Sequence, residues 1–533
     1  MQQSWLVLLP PLIVLLASFI TRNLNRSLGL GIISAACIAT DFNPVHATML
    51  IAKRVYGTIT DIENLYMYGF ILLLSILIVV LNHTGGATAF ANAITNKLKN
   101  KKSTETASLL LSLTLFIDDY LNGLTIGYVM RPLTDRFAIP RVKLAFLVRT
   151  LTGPLIILAP LSSWVAIITN TIDQSGVQPV PTAVTKIISD PFFMYLESIP
   201  YIFYSFLIIA SAWFIVRLRL SFGPMHTQEQ IAEKTGNLFG GKQPIESRLG
   251  NTHNNDGSMS DLVIPLVTLF ACAILGSMWA GGYTLFGGNH SLLESFKHNT
   301  NISLVLLVSG FITLLVSYLY AYIRNKITTK DIIPTLKEGF DLIYSAIGMV
   351  ILATVLGQLL KTDLLTGDYL AEALLGTLPL MFMPLMFFVV STLISIVTGS
   401  AWGTMLLIIP VAIPMLIKVA HAATPALPET IPLLIPSIGA ILSGAVCGNN
   451  ISPIADVTVM VSTSCGAYPI DHAHTQFLYT LPAVIGTGVA YAIIGMAMHY
   501  SASTAFWLSI GSGMITTLAL LYIFNALFNN KKN

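Results

Sequence analysis

Asp118-Asp119-Tyr120-Leu121-Asn122-Gly123 interrupts an apolar stretch over 105–131, and Thr398-Gly399-Ser400-Ala401-Trp402-Gly403-Thr404 interrupts a second over 376–418. The first puts two adjacent carboxylates, the second three hydroxyls and two glycines, where hydropathy alone predicts a lipid-buried helix. Each stretch is either one broken span or a hairpin that returns to the side it entered from, and that choice decides the fold. The chain around them is plainly a membrane chain: of 533 residues 54% are hydrophobic and 10% charged, against about 25% charged in soluble domains. A water-soluble globular fold is excluded.

Apolar segments long enough for about 30 Å of hydrocarbon lie near 5–20, 27–41, 65–82, 142–170, 193–216, 261–280, 301–323, 340–360, 431–464, 477–498 and 506–526, which makes eleven expected spans. No basic region precedes the first, so it is expected to stay as a span and not to act as a removable signal. Cytoplasmic loops are enriched in Lys and Arg. If both interrupted stretches are hairpins, 21 of the 28 Lys and Arg fall on one side, 6 on the other, and Arg149 within a span. The rich side holds Arg22, Arg26, Lys97, Lys99, Lys101, Lys102, Arg131, Arg136, Arg141, Lys143, Arg217, Arg219, the loop that follows, Arg324, Lys326, Lys330, Lys337, Lys531 and Lys532. Making the first stretch a true span sets Lys97–Lys102 opposite Arg131–Lys143 and destroys the bias. The reading is therefore an outside N-terminus, a cytoplasmic C-terminus, a first re-entrant hairpin from the cytoplasm and a second from outside.

The same series of spans, hairpin, broken span and span then fills 1–216 and 261–498, and its odd span count makes the second copy inverted. The polar stretch 217–260 joins the halves as a cytoplasmic linker with too few apolar residues for a domain, and 499–533 adds a last helix and a tail. The expected fold is an all-α polytopic membrane protein: an inverted repeat of about eleven spans and two hairpins. Cys37, Cys272, Cys447 and Cys465 lack metal-ligand spacing and read as unpaired thiols. A net charge of +3 over this length gives no reason to expect nucleic acid, and no phosphate-binding Gly-x-x-x-x-Gly-Lys-Ser/Thr stretch occurs, so neither an ATP-driven pump nor an enzyme is expected.

Inverted repeats with interrupted helices are the layout of secondary transporters, in which half-helix ends and unwound carbonyls meet near the midplane. Two further breaks are expected, at Ala159-Pro160-Leu161-Ser162-Ser163-Trp164 within 142–170 and at Gly448-Asn449-Asn450-Ile451-Ser452-Pro453-Ile454-Ala455-Asp456 within 431–464, because proline removes a helix hydrogen bond and frees carbonyls. Asp118 and Asp119 are the leading residues, since a carboxylate at membrane depth is costly unless paired, hydrated or protonated. Neighbouring helical residues point about 100° apart, so one is expected to bind or titrate while the other, or Asn122, caps a half-helix starting at Gly123. Asp456 is a ligand or the cap of 457–464. Ser162, Ser163, Thr398, Ser400, Thr404, Asn449, Asn450 and Ser452 either contact the cargo or satisfy broken backbone. Trp164 and Trp402 read as packing anchors or substrate contacts. The expected Na+ set is Asp119, Asn122, Ser400, Thr404, Asn449 and Asp456, whose oxygens suit a hard cation. Arg149 is either a buried partner of an aspartate or the anchor of an anionic group. Asp471, His472 and His474 fall in a turn on the basic side and are expected to be surface residues.

At these residues the chain resembles the NhaC family of Na+/H+ antiporters, within the ion transporter superfamily. The resemblance lies in Phe116-Ile117-Asp118-Asp119-Tyr120-Leu121-Asn122, Met130-Arg131-Pro132-Leu133-Thr134-Asp135-Arg136, Ile157-Leu158-Ala159-Pro160-Leu161-Ser162-Ser163-Trp164, Gly399-Ser400-Ala401-Trp402-Gly403-Thr404 and Ser452-Pro453-Ile454-Ala455-Asp456, in family order. It implies a bacterial inner-membrane exchanger of Na+ and H+, embedded in lipid, a homodimer whose transport domain moves like an elevator, with no cofactor. Two departures stand out. The family pattern has an acidic residue where this chain has Arg149, and Gly-Asp-His-Cys-Ser-Pro where it reads Gly448-Asn449-Asn450-Ile451-Ser452-Pro453. Losing two carboxylates and gaining a guanidinium brings in a second cargo, a small organic anion or amino acid carried with Na+ or H+.

The charge count makes a topological prediction. In a background without the native cysteines, Lys102→Cys and Arg141→Cys should react with an impermeant thiol reagent from the same face; labelling from opposite faces would overturn the first hairpin.

Overall fold

A computed structural model describes residues 5–529 apart from 22, 87, 88, 90–99, 117, 161, 183, 184, 245–256, 292–294, 296–301, 375–378, 498 and 499. Arg22, Lys97, Lys99, Arg248, Lys297, Lys531 and Lys532, together with Ile117 and Leu161 of the motifs, lie outside the described residues.

A single 3-10 turn at Trp5–Leu8 leads into α1 (Leu9–Thr21), α2 (Leu24–Ala39), α3 (Pro44–Thr60) and α4 (Ile62–His83). Next come α5 (Lys101–Ser112), α6 (Asp119–Arg136), α7 (Arg141–Ile156) and α8 (Ser163–Gln174), then two short parallel strands, β1 (Val177–Gln178) and β2 (Ile187–Ile188). α9 (Pro191–Ser198), α10 (Phe203–Leu218) and α11 (Gly223–Thr235) complete the first half. The second half holds α12 (Ser260–Ala280), α13 (Ile302–Ile323), α14 (Ile332–Gln358), α15 (Thr366–Leu374), α16 (Met383–Thr398), α17 (Ala401–Val419), α18 (Leu434–Ile451), α19 (Asp456–Cys465), α20 (Pro469–Met496) and α21 (Ala502–Asn529). The protein is an all-α polytopic membrane protein. Among the described residues ten helices are long and apolar enough to cross a membrane.

The helices pack as two bodies. α1–α4 pack with α12, α13 and α14, whereas α5–α10 pack with α16–α21. They meet where α14 crosses α17, α4 crosses α8 and α1 crosses α16. Both interrupted stretches and both broken helices belong to the second body. In its core α16 and α18 touch backbone to backbone: Gly444 and Gly448, one turn apart, face Phe388 and Thr392, and a Cβ on Gly448 would lie 2.3 Å from the Thr392 carbonyl oxygen. Small residues at this spacing are what let membrane helices approach so closely.

At the first interruption the Asn122 amide donates to the Ser112 and Leu115 carbonyl oxygens, 2.8 and 3.1 Å away. In a continuous helix residues 112 and 122 would be about 15 Å apart, so α5 and α6 fold back as a hairpin. Ion pairs Lys101–Glu233, Arg219–Glu105, Arg141–Asp135 and Lys242–Asp471 bring the open end of this hairpin, the start of α7, the linker and the start of α20 to one end of the molecule, hereafter the basic end.

Several boundaries differ from the sequence reading. A helix, α3, occupies 44–60 where none was expected: Asn43 caps it by accepting from Val45 and His46 N–H, and Pro44 sits at its first turn, local signals that a hydropathy window overlooks. The linker is more ordered than its polarity implied, because α11 docks on α7 and α20. α20 begins at Pro469, so Asp471, His472 and His474 are helical. His472 is fully buried, Nδ1 hydrogen-bonded to Ser462 Oγ at 2.8 Å, and not a surface residue. The last broken helix stays helical through Ile451 and breaks at 452–455, later than Gly448.

The docked linker depends on one ion pair. Glu229 on α11 accepts from Ser221 and pairs with Lys143 at 3.2 Å, both side chains nearly inaccessible. Burial raises the Glu229 carboxyl, but the Lys143 ammonium, the Ser221 hydroxyl and the Lys101 charge together more than offset this and hold its pKa below the usual 4.5. The pair therefore stabilises the fold above that pH and its contribution fades as pH falls through the lowered value. Glu229→Gln should cost about 3–5 kcal/mol, since it strands a buried ammonium, read as a lower Tm in detergent, and Lys143→Met in the same chain should restore most of the loss.

Candidate functional site

Four chain breaks wall one small cavity of about 40 Å³, lined by Asp119 and Tyr120 of the first hairpin, Trp164 at the start of α8, Ser400, Ala401 and Trp402 of the second interruption, Asn449, Asp456 and Val457 of the last break, and Met349 of α14. That is room for two or three waters, far below the roughly 300–1,000 Å³ of organic-ligand pockets.

Each break is held open by side chains that replace helix hydrogen bonds. Asp118, not Asp119 or Asn122, caps α6: its Oδ1 accepts from Tyr120 and Leu121 N–H at 2.9 and 3.1 Å. Asp119 is the next residue, turned into the cavity, with its Oδ1 buried and lacking any hydrogen-bond partner. Ser400 caps α17 by accepting from Gly403 N–H at 3.0 Å. Gly399 ahead of it has φ +68° and lies against Ala455, where a Cβ would sit 3.2 Å from backbone atoms; only glycine fits this turn without strain. The tip is pinned to the last break by Asn449 Nδ2 donating to Gly399 O at 2.8 Å and by Ser452 Oγ donating to Ile396 O at 2.8 Å. Asp456 opens α19, accepts from Val457 N–H at 2.8 Å, and accepts from the Tyr120 hydroxyl. Trp164 and Trp402 meet edge to face, centroids 6.3 Å apart, and join the second and third breaks.

The expected Na+ set is brought together only in part. Asp119, Ser400, Asn449 and Asp456 line the cavity; Asn122 and Thr404 do not. Asn122 is committed to hairpin carbonyls and accepts from Thr152 at 3.2 Å, and the Thr404 hydroxyl donates to Ser400 O at 2.8 Å. Ser162 donates to Ile156 O, Thr398 stays within its own turn, and Asn450 joins Gln476 and Tyr204, so these three serve backbone or core. The Trp164 indole N–H is buried without a hydrogen-bond partner, and the Ser163 hydroxyl lies beside the Asp118 carboxylate. Arg149, 1% exposed, pairs with no aspartate among the described residues. Its Nη2 donates to Asn449 O and Oδ1 at 2.6 and 2.7 Å and its Nε to Thr458 Oγ1 at 3.1 Å, which places it behind the cavity wall. The sequence reading missed Tyr120, Met349 and Thr458, whose types carry no signal until the fold brings them in. Asp456 is exposed, and so are Val459 and Thr463 further along α19, so that face of the helix is uncovered from the cavity toward the basic end.

A family model described as the Na+/H+ antiporter family matches residues 155–496, more than half of the chain. The chain belongs to the Na+/H+ antiporter family. An uncharacterized protein of Haemophilus influenzae is 28% identical over 494 residues, 92% of this chain and 90% of its own. The malate-2H+/Na+-lactate antiporter of Bacillus subtilis is 28% identical over 200 residues, 36% of this chain and 38% of its own. In fold, this antiporter-family chain is similar to the YdaH transporter of Alcanivorax borkumensis, with TM-score 0.54 at 14% identity over 86% of this chain and 90% of that one. It is also similar to MtrF of Neisseria gonorrhoeae, with TM-score 0.50 at 14% identity over 92% and 85%. The protein is a multi-pass membrane transporter, not an enzyme.

At the end away from the basic one, Glu63, Asp173 and Asp190 share a second cavity, of about 350 Å³, between the two bodies. None was singled out in the sequence. Asp190, in the connection before α9, caps that helix by accepting from Phe193 N–H at 2.7 Å. Burial pushes its carboxyl up to about 7 against the pull of that N–H, and Asp173 adds to the rise. A raised carboxyl means that the folded state holds a proton the unfolded state has lost, so stability falls as pH rises from about 4 to 7. Asp190→Asn keeps the cap and removes the titration. The wild-type Tm should drop relative to Asp190→Asn between pH 5 and 8, by the equivalent of about 2–4 kcal/mol.

Proposed function

We propose that the protein is a secondary active Na+/H+ antiporter that binds its cation in the cavity walled by the four breaks. One observation carries the reading: Asp119 Oδ1 is a buried carboxylate oxygen without a donor, facing a space that admits an ion and little else. Burying such an oxygen unpaired is costly, and a cation or a proton relieves the cost. Ser400 and Asp456 bring further oxygens, and a cation arriving with part of its water also offers an acceptor to the Trp164 N–H. Na+ and H+ then exclude each other at Asp119 and Asp456, because a protonated carboxyl loses its attraction for Na+. This competition is what couples the two fluxes.

The two-body packing supports elevator-type exchange, in which the second body carries the cavity past α4 and α14. The uncovered face of α19 fits a conformer open toward the basic end. With that end cytoplasmic, the N-terminus lies outside and the C-terminus inside a bacterial inner membrane, the halves 1–216 and 261–498 are inverted repeats, and the functional unit is a homodimer. The second reading, a small carboxylate or amino acid paired with Arg149, draws on the Bacillus subtilis relative, whose name specifies malate and lactate. The geometry favours the ion, since Asn449 and Thr458 occupy the guanidinium and the cavity is small.

Asp119→Asn should abolish Na+-dependent thermal stabilisation and lower ΔpH-driven 22Na+ uptake into proteoliposomes at least tenfold. Wild-type Na+ response and flux in this variant would overturn the assignment. Stabilisation of the wild type by malate, lactate or an amino acid, but not by Na+ or Li+, would install the second reading.

A further inference from the structure

Arg149 is a buried cation held by neutral groups. Charged groups at membrane depth pair with an opposite charge or with backbone carbonyls, and the partners here are three uncharged oxygens: the Asn449 carbonyl, the Asn449 amide oxygen and the Thr458 hydroxyl. All three are fixed before the guanidinium is considered. The Thr458 hydroxyl spends its hydrogen on Ser452 O at 3.0 Å, leaving its lone pairs toward Arg149. The Asn449 amide spends its N–H on Gly399 O at 2.8 Å, which turns Oδ1 toward Arg149. The carbonyl and amide oxygens meet at Nη2 and the hydroxyl at Nε, so one edge of the guanidinium lies in a cage of neutral oxygens, the ligand type a hard cation selects.

Asn449 is also part of the cavity wall, with Asp119 and Asp456 across the same space. The guanidinium thus stands one residue behind the cargo, facing two carboxylates it does not touch. Asp118 enters the balance differently, because its charge is spent on the α6 N-terminus, where the helix dipole offsets it.

We propose that Arg149 is a tethered cation: it occupies an oxygen cage beside the cavity and supplies one of the two positive charges that Asp119 and Asp456 require, so the loaded second body carries a single monovalent cargo cation. The inference rests on the cation reading above and adds the number of cations and the residue that sets it. Moving an uncompensated charge through hydrocarbon is expensive, so the loaded cavity is close to neutral. Two carboxylates against one guanidinium leave one negative charge for Na+ or H+ to neutralise. Without the guanidinium, the oxygens that held it take a second cation.

Equilibrium 22Na+ binding to purified protein at about pH 8.5, where ordinary carboxylates are ionised, tests the count. The wild type and Arg149→Lys should each saturate near one Na+ per chain, and Arg149→Gln near two. Asn449→Asp, which sets a carboxylate against the guanidinium, should also saturate near two and serves if Arg149→Gln fails to fold. Saturation near one in both Arg149→Gln and Asn449→Asp would overturn the proposal and reduce Arg149 to a strut. Binding of malate or an amino acid that is lost in Arg149→Gln would overturn it in favour of an anion anchor. A wild type that binds no Na+ and shows no ΔpH-driven flux would defeat the cation reading itself; a Na+-responsive wild type with unchanged variants would defeat the charge count alone.

Discussion

Backbone polar groups at membrane depth must find partners without help from bulk water, and the architecture of the second body follows from how four breaks meet that demand. A helix that stops inside a membrane leaves N–H groups at one edge and carbonyls at the other. Here polar side chains beside the caps tie each break to a neighbour or to the opposite limb: Asn122 closes the first hairpin, Asn449 and Ser452 bind the second tip to the last break, and Tyr120 reaches Asp456. No break can move without disturbing another. The result is one rigid polar nucleus inside an apolar bundle, with a single small space at its centre.

That nucleus also divides labour between adjacent residues. Asp118 and Asp119 have the same chemistry and differ by one helical step. The first is consumed by the helix terminus and the second is left over, facing the cavity. The local rule that a cap spends its carboxylate on N–H groups thereby determines which neighbour stays available for a cation. Thr404 and Ser162 are consumed in the same way, their hydroxyls donating to Ser400 O and Ile156 O.

Much of this is legible in the sequence because membrane constraints are severe. Span length, the side preference of Lys and Arg, and the cost of polar runs in apolar stretches place the breaks and the polar residues near them. What the sequence does not carry is direction. Asn122 and Thr404 share type and setting with Ser400 and Asn449, and only the packed backbone shows which way each points. The helix at 44–60 escapes because its signals are a cap and a proline, not hydropathy. His472 looks like a surface residue in a short polar run, but helix α20 starts three residues before it and turns it into the core. Arg149 is marked as unusual by its apolar neighbours, while its three neutral oxygen partners come from positions about 300 residues further along.

The edge-to-face pair of Trp164 and Trp402 has one more consequence. The chain has six tryptophans, and these two stand in the wall of the small cavity with centroids 6.3 Å apart. Indoles so close share their electronic transitions, and a charge placed in the cavity beside them perturbs both. The protein therefore carries its own optical gauge of occupancy, with the exciton signal of one ring pair reporting what sits at the meeting point of four helix breaks.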